Sequence, residues 1–423
     1  TEELNKKVWN AGGGKQLTAS YREILANVLE IYGFSFKYLL TRIFIDKNFY
    51  VGVYEDSDKL NEIIDYRSDS LSSYYMRLAL EGGGVRGSYQ AGVYAAMHEC
   101  GIKINGVCGT SIGSLNASLI ATGKGETLAS VWRSLNMGEV FGFSKKFIDA
   151  SVNKKIKLSN AEVFAKEAFR IMLQKGIELE GLKQVIDKYL DVDALFNSDI
   201  DFGLVTVRLK DFKPIYLWKS DMDKEKIKDY VIASSSLPLF KMEPLIDNHY
   251  YLDGGFRDLG PVNMMLEKGY DTVYLVKIHG IGITRKYDKT KNVIVIESKR
   301  GLGGVLDLDH NRIEENIKMG YYDAIRVIKH LDGEKYVFKV KSEKYYEFLN
   351  RKVPKKLQRR IKSFFKARNI KEATIRSFEY VMEHEHINYY EIYKPTKMLR
   401  KLRKIKHKNH FIYDYVNRLK YFI

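Results

Sequence analysis

Three short motifs in this sequence carry residues that could do chemistry. The first is the glycine run Gly82-Gly83-Gly84-Val85-Arg86-Gly87. Glycines let backbone N–H groups point into a site, where they hold an anion with the help of a following helix N-terminus. The run also satisfies the dinucleotide-binding pattern G-x-G-x-x-G, but the acidic residue expected about 20 positions later is replaced by Gly109-Thr110-Ser111. Anion stabilisation is therefore favoured over dinucleotide binding or a purely structural turn.

The second motif, Gly109-Thr110-Ser111-Ile112-Gly113, is a G-x-S-x-G. It lies where a predicted strand turns into a helix, as a nucleophile elbow requires. Its two outer glycines, Gly109 and Gly113, let the turn tighten, and the helix dipole favours a developing negative charge near Ser111. The alternative is a serine that only caps the helix N-terminus.

The third motif, Asp253-Gly254-Gly255, follows the apolar stretch 250–252. A carboxylate at the end of a strand, followed by Gly254 and Gly255, can approach another loop closely. The alternative is an ordinary Asp-Gly turn.

Strand and helix patterns alternate around these motifs. Helical spacing marks residues 88–99 and 115–121, and short apolar stretches typical of strands lie at 76–80, 102–108, 202–207, 214–218, 250–252 and 273–278. Such alternation predicts a mostly parallel sheet that is covered by helices on both faces. Ligands bind at the carboxyl ends of the strands in sheets of this kind, which is where the three motifs fall.

In this order, the three motifs resemble those of the patatin-like phospholipase family, the bacterial serine acyl hydrolases among them. The stretches Ala233-Ser234-Ser235-Ser236-Leu237-Pro238 and Gly260-Pro261-Val262, on either side of Asp253, agree with the family. The resemblance covers residues 76–270 and extends less clearly to 330. It implies a three-layer α/β/α core. In one departure, residues 256–260 stand where many relatives place asparagine before the proline, which leaves the local support of Asp253 open.

The resemblance implies a Ser–Asp dyad that cleaves fatty acyl esters of phospholipids or lysophospholipids without a cofactor. Ser111 would attack the ester carbonyl and Asp253 would accept its proton. Because a carboxylate is a poor base for a hydroxyl, partial burial must raise its pKa. His249 and His279 are alternative bases, although ordinary loop or core histidines are the favoured interpretation. Arg86 would steady the glycine loop, and the oxyanion N–H donors would come from Gly82, Gly83, Gly84 and Gly87.

Positive charge is concentrated at one end of the 423-residue chain. The net charge is +17, and residues 331–423 hold 25 Lys+Arg against 10 Asp+Glu. We therefore predict three parts: a helical region with a linker at 1–72, an acyl hydrolase domain at 73–330 with its motifs within 76–270, and a basic, largely helical region at 331–423.

The basic region has the pattern of an amphipathic helix. Apolar residues recur at helical spacing from Val353 to Phe365, and lysines and arginines fill the positions between them. Such helices bind anionic lipid surfaces. Packing of the apolar face on the central domain is the alternative, and it is slightly favoured. A catalytically inactive membrane-associated scaffold and a nucleic-acid-binding protein are the other function classes, and no nucleic-acid module is recognised.

The sequence shows no metal site, and two cysteines suit a reducing compartment. The most apolar stretch, residues 24–45, carries Glu30, Lys37 and Arg42, so an amphipathic helix is favoured over a membrane span. We expect a cytoplasmic protein or one peripheral to the inner membrane face, with secretion and oligomeric state left open. Phe141, Phe143 and Phe147 are candidates for a mobile lid or, with slight preference, for core residues of a helical insertion.

Overall fold

The computed structural model describes residues 75–405 and 410–420, except for 147–148, 150–165, 168–169 and 172. The chain from Tyr75 onward groups into one compact unit. The predictions for residues 1–72, for the apolar stretch 24–45 and for Phe147 lie outside the described residues. In the described part of the chain, every helix is too short or too polar to cross a membrane.

One mixed, mostly parallel sheet organises the first part of the described chain. Its strand order is β4-β3-β2-β1-β6-β7, and β5 pairs with β3 as well. β1, β2, β3, β6 and β7 run parallel, whereas β4 and β5 are antiparallel to β3. The predicted fold class is confirmed. The strands are β1 (Tyr75–Leu80), β2 (Lys103–Thr110), β3 (Asp201–Arg208), β4 (Lys213–Trp218), β5 (Tyr251–Asp253), β6 (Thr272–Lys277) and β7 (Asn292–Glu297).

Helices cover both faces of this sheet because successive side chains of a strand point to opposite sides. In β1, Leu78 and Leu80 join the larger core, whereas Ala79 joins a smaller core with Met264 and Met265. The helices are α1 (Ser88–Glu99), α2 (Ile112–Leu119), α3 (Leu128–Ser134), α4 (Met137–Val140), α5 (Glu180–Tyr189), α6 (Val192–Asn197), α7 (Ile227–Ser234), α8 (Val262–Glu267) and α9 (His310–Ile328).

The basic region builds a hydrophobic core of its own, which includes Tyr336, Tyr346, Phe378 and Tyr415. Its elements are β8 (Val337–Phe338), α10 (Glu343–Leu349), α11 (Lys355–Phe365), α12 (Ile370–His384), β9 (Ile392–Tyr393), α13 (Pro395–Leu402) and α14 (Phe411–Arg418).

The predicted amphipathic helix corresponds to α11. Val353 and Ile361 are buried in this second core, while Lys355, Lys356 and Arg359 are exposed. The apolar face therefore packs within the basic region, whereas the sequence suggested packing on the central domain. The basic face stays open to solvent.

Candidate active site

The sheet brings the second and third motifs together because β2 and β5 pair, one after the other, with the same edge of β3. Residues 106–110 of β2 pair with 201–205 of β3 in parallel. Residues 251–253 of β5 pair with the following residues, 206–208, in the antiparallel direction. The two strands therefore meet at their carboxyl ends. Ser111 directly follows β2 and Asp253 ends β5, so both residues stand at this junction.

Ser111 occupies the tight turn expected of a nucleophile elbow. Its backbone has φ 57° and ψ −130°, a strained conformation for a residue with a side chain. A Cβ on Gly109 would lie 2.2 Å from the Gly113 carbonyl carbon, and a Cβ on Gly113 would lie 2.3 Å from the Leu80 oxygen. Both positions therefore require glycine. The Ser111 side chain makes no capping hydrogen bond to α2, so it does not act as a helix cap.

Asp253 is buried and holds its carboxyl against the elbow. Its Oδ1 accepts a 2.8 Å hydrogen bond from the Gly255 N–H. Burial raises the pKa of Asp253 to about 6, while interactions with the Ser111 hydroxyl and the Gly255 N–H oppose the rise. Asp253 Oδ2 is buried and has no hydrogen-bond partner within the described residues, so the Ser111 hydroxyl lies near the carboxyl without a formed hydrogen bond to Oδ2. A carboxyl with a pKa near neutrality is a far better base for a hydroxyl than an ordinary aspartate.

The glycine loop lies beside Ser111, and its N–H groups differ in whether they already make a hydrogen bond. The Gly82 N–H donates a 3.0 Å hydrogen bond to the Leu259 carbonyl, so it is already engaged and the predicted donor role does not suit it. The N–H groups of Gly83 and Gly84 have no acceptor among the residues that the structure describes. Gly87 contributes close packing, since a Cβ there would lie 2.7 Å from Ile112 Cγ1. Gly83 and Gly84 therefore remain the candidates for the oxyanion donors.

Two charged residues, one just before this loop and one within it, bond to the segment that follows β6. Arg86, the predicted loop support, donates from Nε to the Gly303 carbonyl at 2.8 Å and from Nη1 to the His279 carbonyl. Buried Glu81 accepts hydrogen bonds from the Ile278 and His279 N–H groups, both at 2.7 Å. Burial raises the pKa of Glu81, and these two donors oppose that rise. Glu81 was not among the predicted site residues, although a carboxylate between an apolar strand and a glycine run was a signal for it.

Residues 256–260, the departure from the family pattern, connect all three motifs. The Thr110 hydroxyl of the elbow donates a 2.8 Å hydrogen bond to the Asp258 carbonyl. The next residue, Leu259, accepts from Gly82 of the glycine loop. The Asp258 N–H donates a 2.9 Å hydrogen bond to the Gly254 carbonyl, next to Asp253. Segment 256–260 is therefore hydrogen-bonded to all three motifs.

Neither candidate histidine lies at the junction. His249 is exposed in a turn before β5. The ring of His279 is half exposed, and its Nε2 lies 3.5 Å from Glu297 Oε2. Among the described residues, no histidine makes a hydrogen bond to Ser111 or Asp253.

An apolar cavity of about 50 Å³ opens beside Ser111. Phe141 is buried in its wall, with its ring centroid 6.4 Å from that of Phe240. Phe143 packs on Phe141 at 6.0 Å. Phe141 and Phe143 are thus packed residues in this structure, as the favoured interpretation held. The lining includes Gly84, Ser111, Ile112, Leu115, Trp132, Leu135, Met137, Val140, Phe141, Leu182, Val185, Ser235, Leu237 and Phe240.

Part of this chain is similar to known proteins. Residues 78–266 match the family model described as patatin-like phospholipase. Lysophospholipase NTE1 of Kluyveromyces lactis is 27% identical over 222 residues, which cover 50% of this chain and 13% of that protein. A patatin-like phospholipase domain-containing protein of Caenorhabditis elegans is 25% identical over 248 residues, 54% of this chain and 16% of that protein. This chain therefore spans only a small part of the curated relatives it matches.

Among solved structures, VipD from Legionella pneumophila is similar with a TM-score of 0.35 and 14% identity, over 79% of this chain and 81% of that chain.

Proposed function

Since this chain belongs to the patatin-like phospholipase family through residues 78–266, we propose that it cleaves fatty acyl esters of phospholipids or lysophospholipids through a Ser–Asp dyad. The observation that carries the proposal is the meeting of Ser111 with buried Asp253, whose pKa burial raises to about 6, at the ends of β2 and β5. The lysophospholipase activity named for the Kluyveromyces relative is of the same class.

The dyad performs two acyl transfers. Ser111 Oγ attacks the ester carbonyl carbon while Asp253 accepts its proton, and the carbonyl oxygen becomes an oxyanion near the Gly83 and Gly84 N–H groups. The tetrahedral intermediate collapses to an acyl-enzyme, and Asp253 returns the proton to the departing alcohol. Water then attacks the acyl-enzyme, with Asp253 again accepting and returning a proton. The fatty acid leaves and Ser111 is restored.

The apolar cavity suits the acyl chain of such a substrate. Its walls are almost wholly hydrophobic, and Ser111 and Gly84 stand together in its lining. Its volume of about 50 Å³ is far below the roughly 300–1,000 Å³ of ordinary ligand pockets. The side chains around Phe141 must therefore move apart to admit a long chain.

Covalent labelling tests this proposal against an inactive scaffold. A fluorophosphonate probe should modify the wild type at Ser111 and leave Ser111→Ala unlabelled. A mass-spectrometric survey of mixed phospholipids should show free fatty acid and lysolipid, or the deacylated product, only with the wild type. An unlabelled Ser111 together with unchanged lipids would leave the scaffold interpretation in place.

We also propose that the exposed basic face of α11 contacts anionic membranes, which makes the protein peripheral to the inner membrane face. Lys355, Lys356 and Arg359 are exposed there, and each basic residue near such a surface contributes about 1 kcal/mol at best. The triple change of these residues to glutamate should weaken co-sedimentation with vesicles that contain phosphatidylglycerol. The helix should persist because acidic residues suit a helix N-terminus. Unchanged sedimentation would contradict the proposal, and a salt-dependent gel shift would point to nucleic acid instead.

A further inference from the structure

Large apolar side chains are exposed beside the proposed dyad. Ile281 is 82% exposed, Ile283 is 53% exposed and Phe256 is 37% exposed. Single exposed apolar residues are common on protein surfaces. These three, however, lie on two loops that bond directly to each other. We call residues 279–291, which connect β6 to β7, the mouth loop.

Main-chain contacts place the mouth loop against the catalytic motifs. The Ile283 N–H donates a 2.8 Å hydrogen bond to the Gly255 carbonyl, two residues after Asp253. At the other motif, a Cβ on Gly280 would lie 1.9 Å from the Gly82 oxygen, so the two backbones are in close contact. The exposed isoleucines therefore stand at the edge of the site that holds Ser111.

The mouth loop is fixed along its length, so its exposed residues are not part of a fraying segment. The Leu259 N–H donates to the Ile283 carbonyl at 2.7 Å. Arg285 donates to the Tyr216 hydroxyl at 2.7 Å, and Asn263 donates to the Lys286 carbonyl at 3.0 Å. A held loop that presents isoleucine to water forgoes the stabilisation that burial of that side chain would bring.

Basic residues follow the exposed isoleucines along the mouth loop. The mouth loop contains four lysines and arginines, Arg285, Lys286, Lys289 and Lys291, and one acidic residue, Asp288. Lys286 and Lys289 are exposed. Apolar side chains next to basic ones are the composition that enters the boundary between lipid headgroups and acyl chains on anionic surfaces.

We propose that the mouth loop is a docking surface for anionic phospholipid bilayers, with Ile281 and Ile283 inserted below the headgroups. The proposal rests on the lipid hydrolase function above and extends it. Docking through this loop turns the Ser111 site toward the lipid, so a phospholipid can pass from the bilayer to the dyad without crossing water. Contact through α11 alone does not by itself orient the site in this way.

Vesicle binding by an inactive full-length chain separates docking from catalysis. In a Ser111→Ala background, the double variant Ile281→Asp/Ile283→Asp should bind vesicles of phosphatidylcholine and phosphatidylglycerol at least tenfold more weakly than Ser111→Ala alone. Leu173→Asp is the matched control, because Leu173 is 66% exposed and lies outside both the mouth loop and the basic region. It should bind like the parent. Equal binding by all three proteins would overturn the proposal.

Hydrolysis of a short, water-soluble ester shows whether the loop change has damaged the site. With Ser111 intact, the double variant should keep at least half of the wild-type rate on this ester and lose most of its rate on vesicles. Loss of both rates would overturn the docking proposal in favour of a structural role. A wild type that binds vesicles but cleaves neither substrate refutes the proposed hydrolase function and leaves docking supported. A change of oligomeric state in the double variant, with vesicle binding retained, would assign the surface to a second copy of the chain.

Discussion

Asp253→Asn is expected to lower kcat by about 10²–10⁴-fold, the range typical of losing a general base. An amide of the same shape keeps the acceptor for the Gly255 N–H but cannot take the Ser111 proton. Because Asp253 is buried, water does not take its place as the base. Ester hydrolysis with a soluble substrate measures the effect. His249→Ala is the control, and it should retain most of the activity because His249 is exposed and away from the junction.

The same substitution should stabilise the protein at neutral and alkaline pH. Burial raises the pKa of Asp253 from 3.8 to about 6, so the folded state binds its proton more tightly than the unfolded state does. The ionised carboxylate therefore destabilises the wild type above pH 6 by roughly 3 kcal/mol, a cost that is absent below pH 4. Thermal unfolding should show a higher Tm for Asp253→Asn at about pH 8, and a smaller difference at about pH 4.

The pH dependence of the wild-type rate has the opposite sign from that of its stability. Catalysis needs the ionised carboxylate, so kcat/KM should rise with pH through about 6, the pKa to which burial raises Asp253.

Loss of activity in His249→Ala with a fully active Asp253→Asn would identify a histidine as the base and reject the dyad.

Local sequence patterns predicted the motifs well because each is determined by near neighbours. Gly109 is required by contacts within one strand–turn–helix unit, and Ser111 takes its backbone conformation from the same turn. The alternation of strands and helices likewise follows from side-chain periodicity, which is a local property. The mostly parallel sheet was therefore predictable from the sequence.

The arrangement of the site depends on pairings between distant segments, which local patterns do not contain. β5 has only three residues, and no periodicity indicates that it pairs with the same edge of β3 as β2 does. The engagement of the Gly82 N–H by Leu259 is equally non-local, and it changed which glycines are available as donors. The apolar face of α11 could be predicted, but its burial within the basic region depended on the helices that surround it.

Gly84→Ala is expected to lower kcat by about 10²–10³-fold, the typical effect of losing one oxyanion donor. Gly84 has a φ of +57°, and a Cβ there would lie 2.1 Å from the Val305 backbone oxygen. Since backbone atoms cannot yield as a flexible side chain does, the loop must shift away from Val305. The Val85 N–H would then lose its 2.9 Å hydrogen bond to the same oxygen, and the Gly84 N–H would be displaced from Ser111.

Gly101→Ala separates this collision from the general strain of a positive φ. Gly101 has a φ of +72°, yet a Cβ there meets no atom within 4 Å. Its substitution should cost about 1–2 kcal/mol of stability, as expected for a left-handed residue with a side chain, and leave kcat unchanged. Soluble-ester kinetics and thermal unfolding of both variants measure the two effects. If the Gly84 variant kept a wild-type kcat despite its steric conflict, the N–H of Gly84 would not be an oxyanion donor. The stabilisation would then have to come from Gly83, whose added Cβ meets the end of the flexible Ile278 side chain at 2.8 Å.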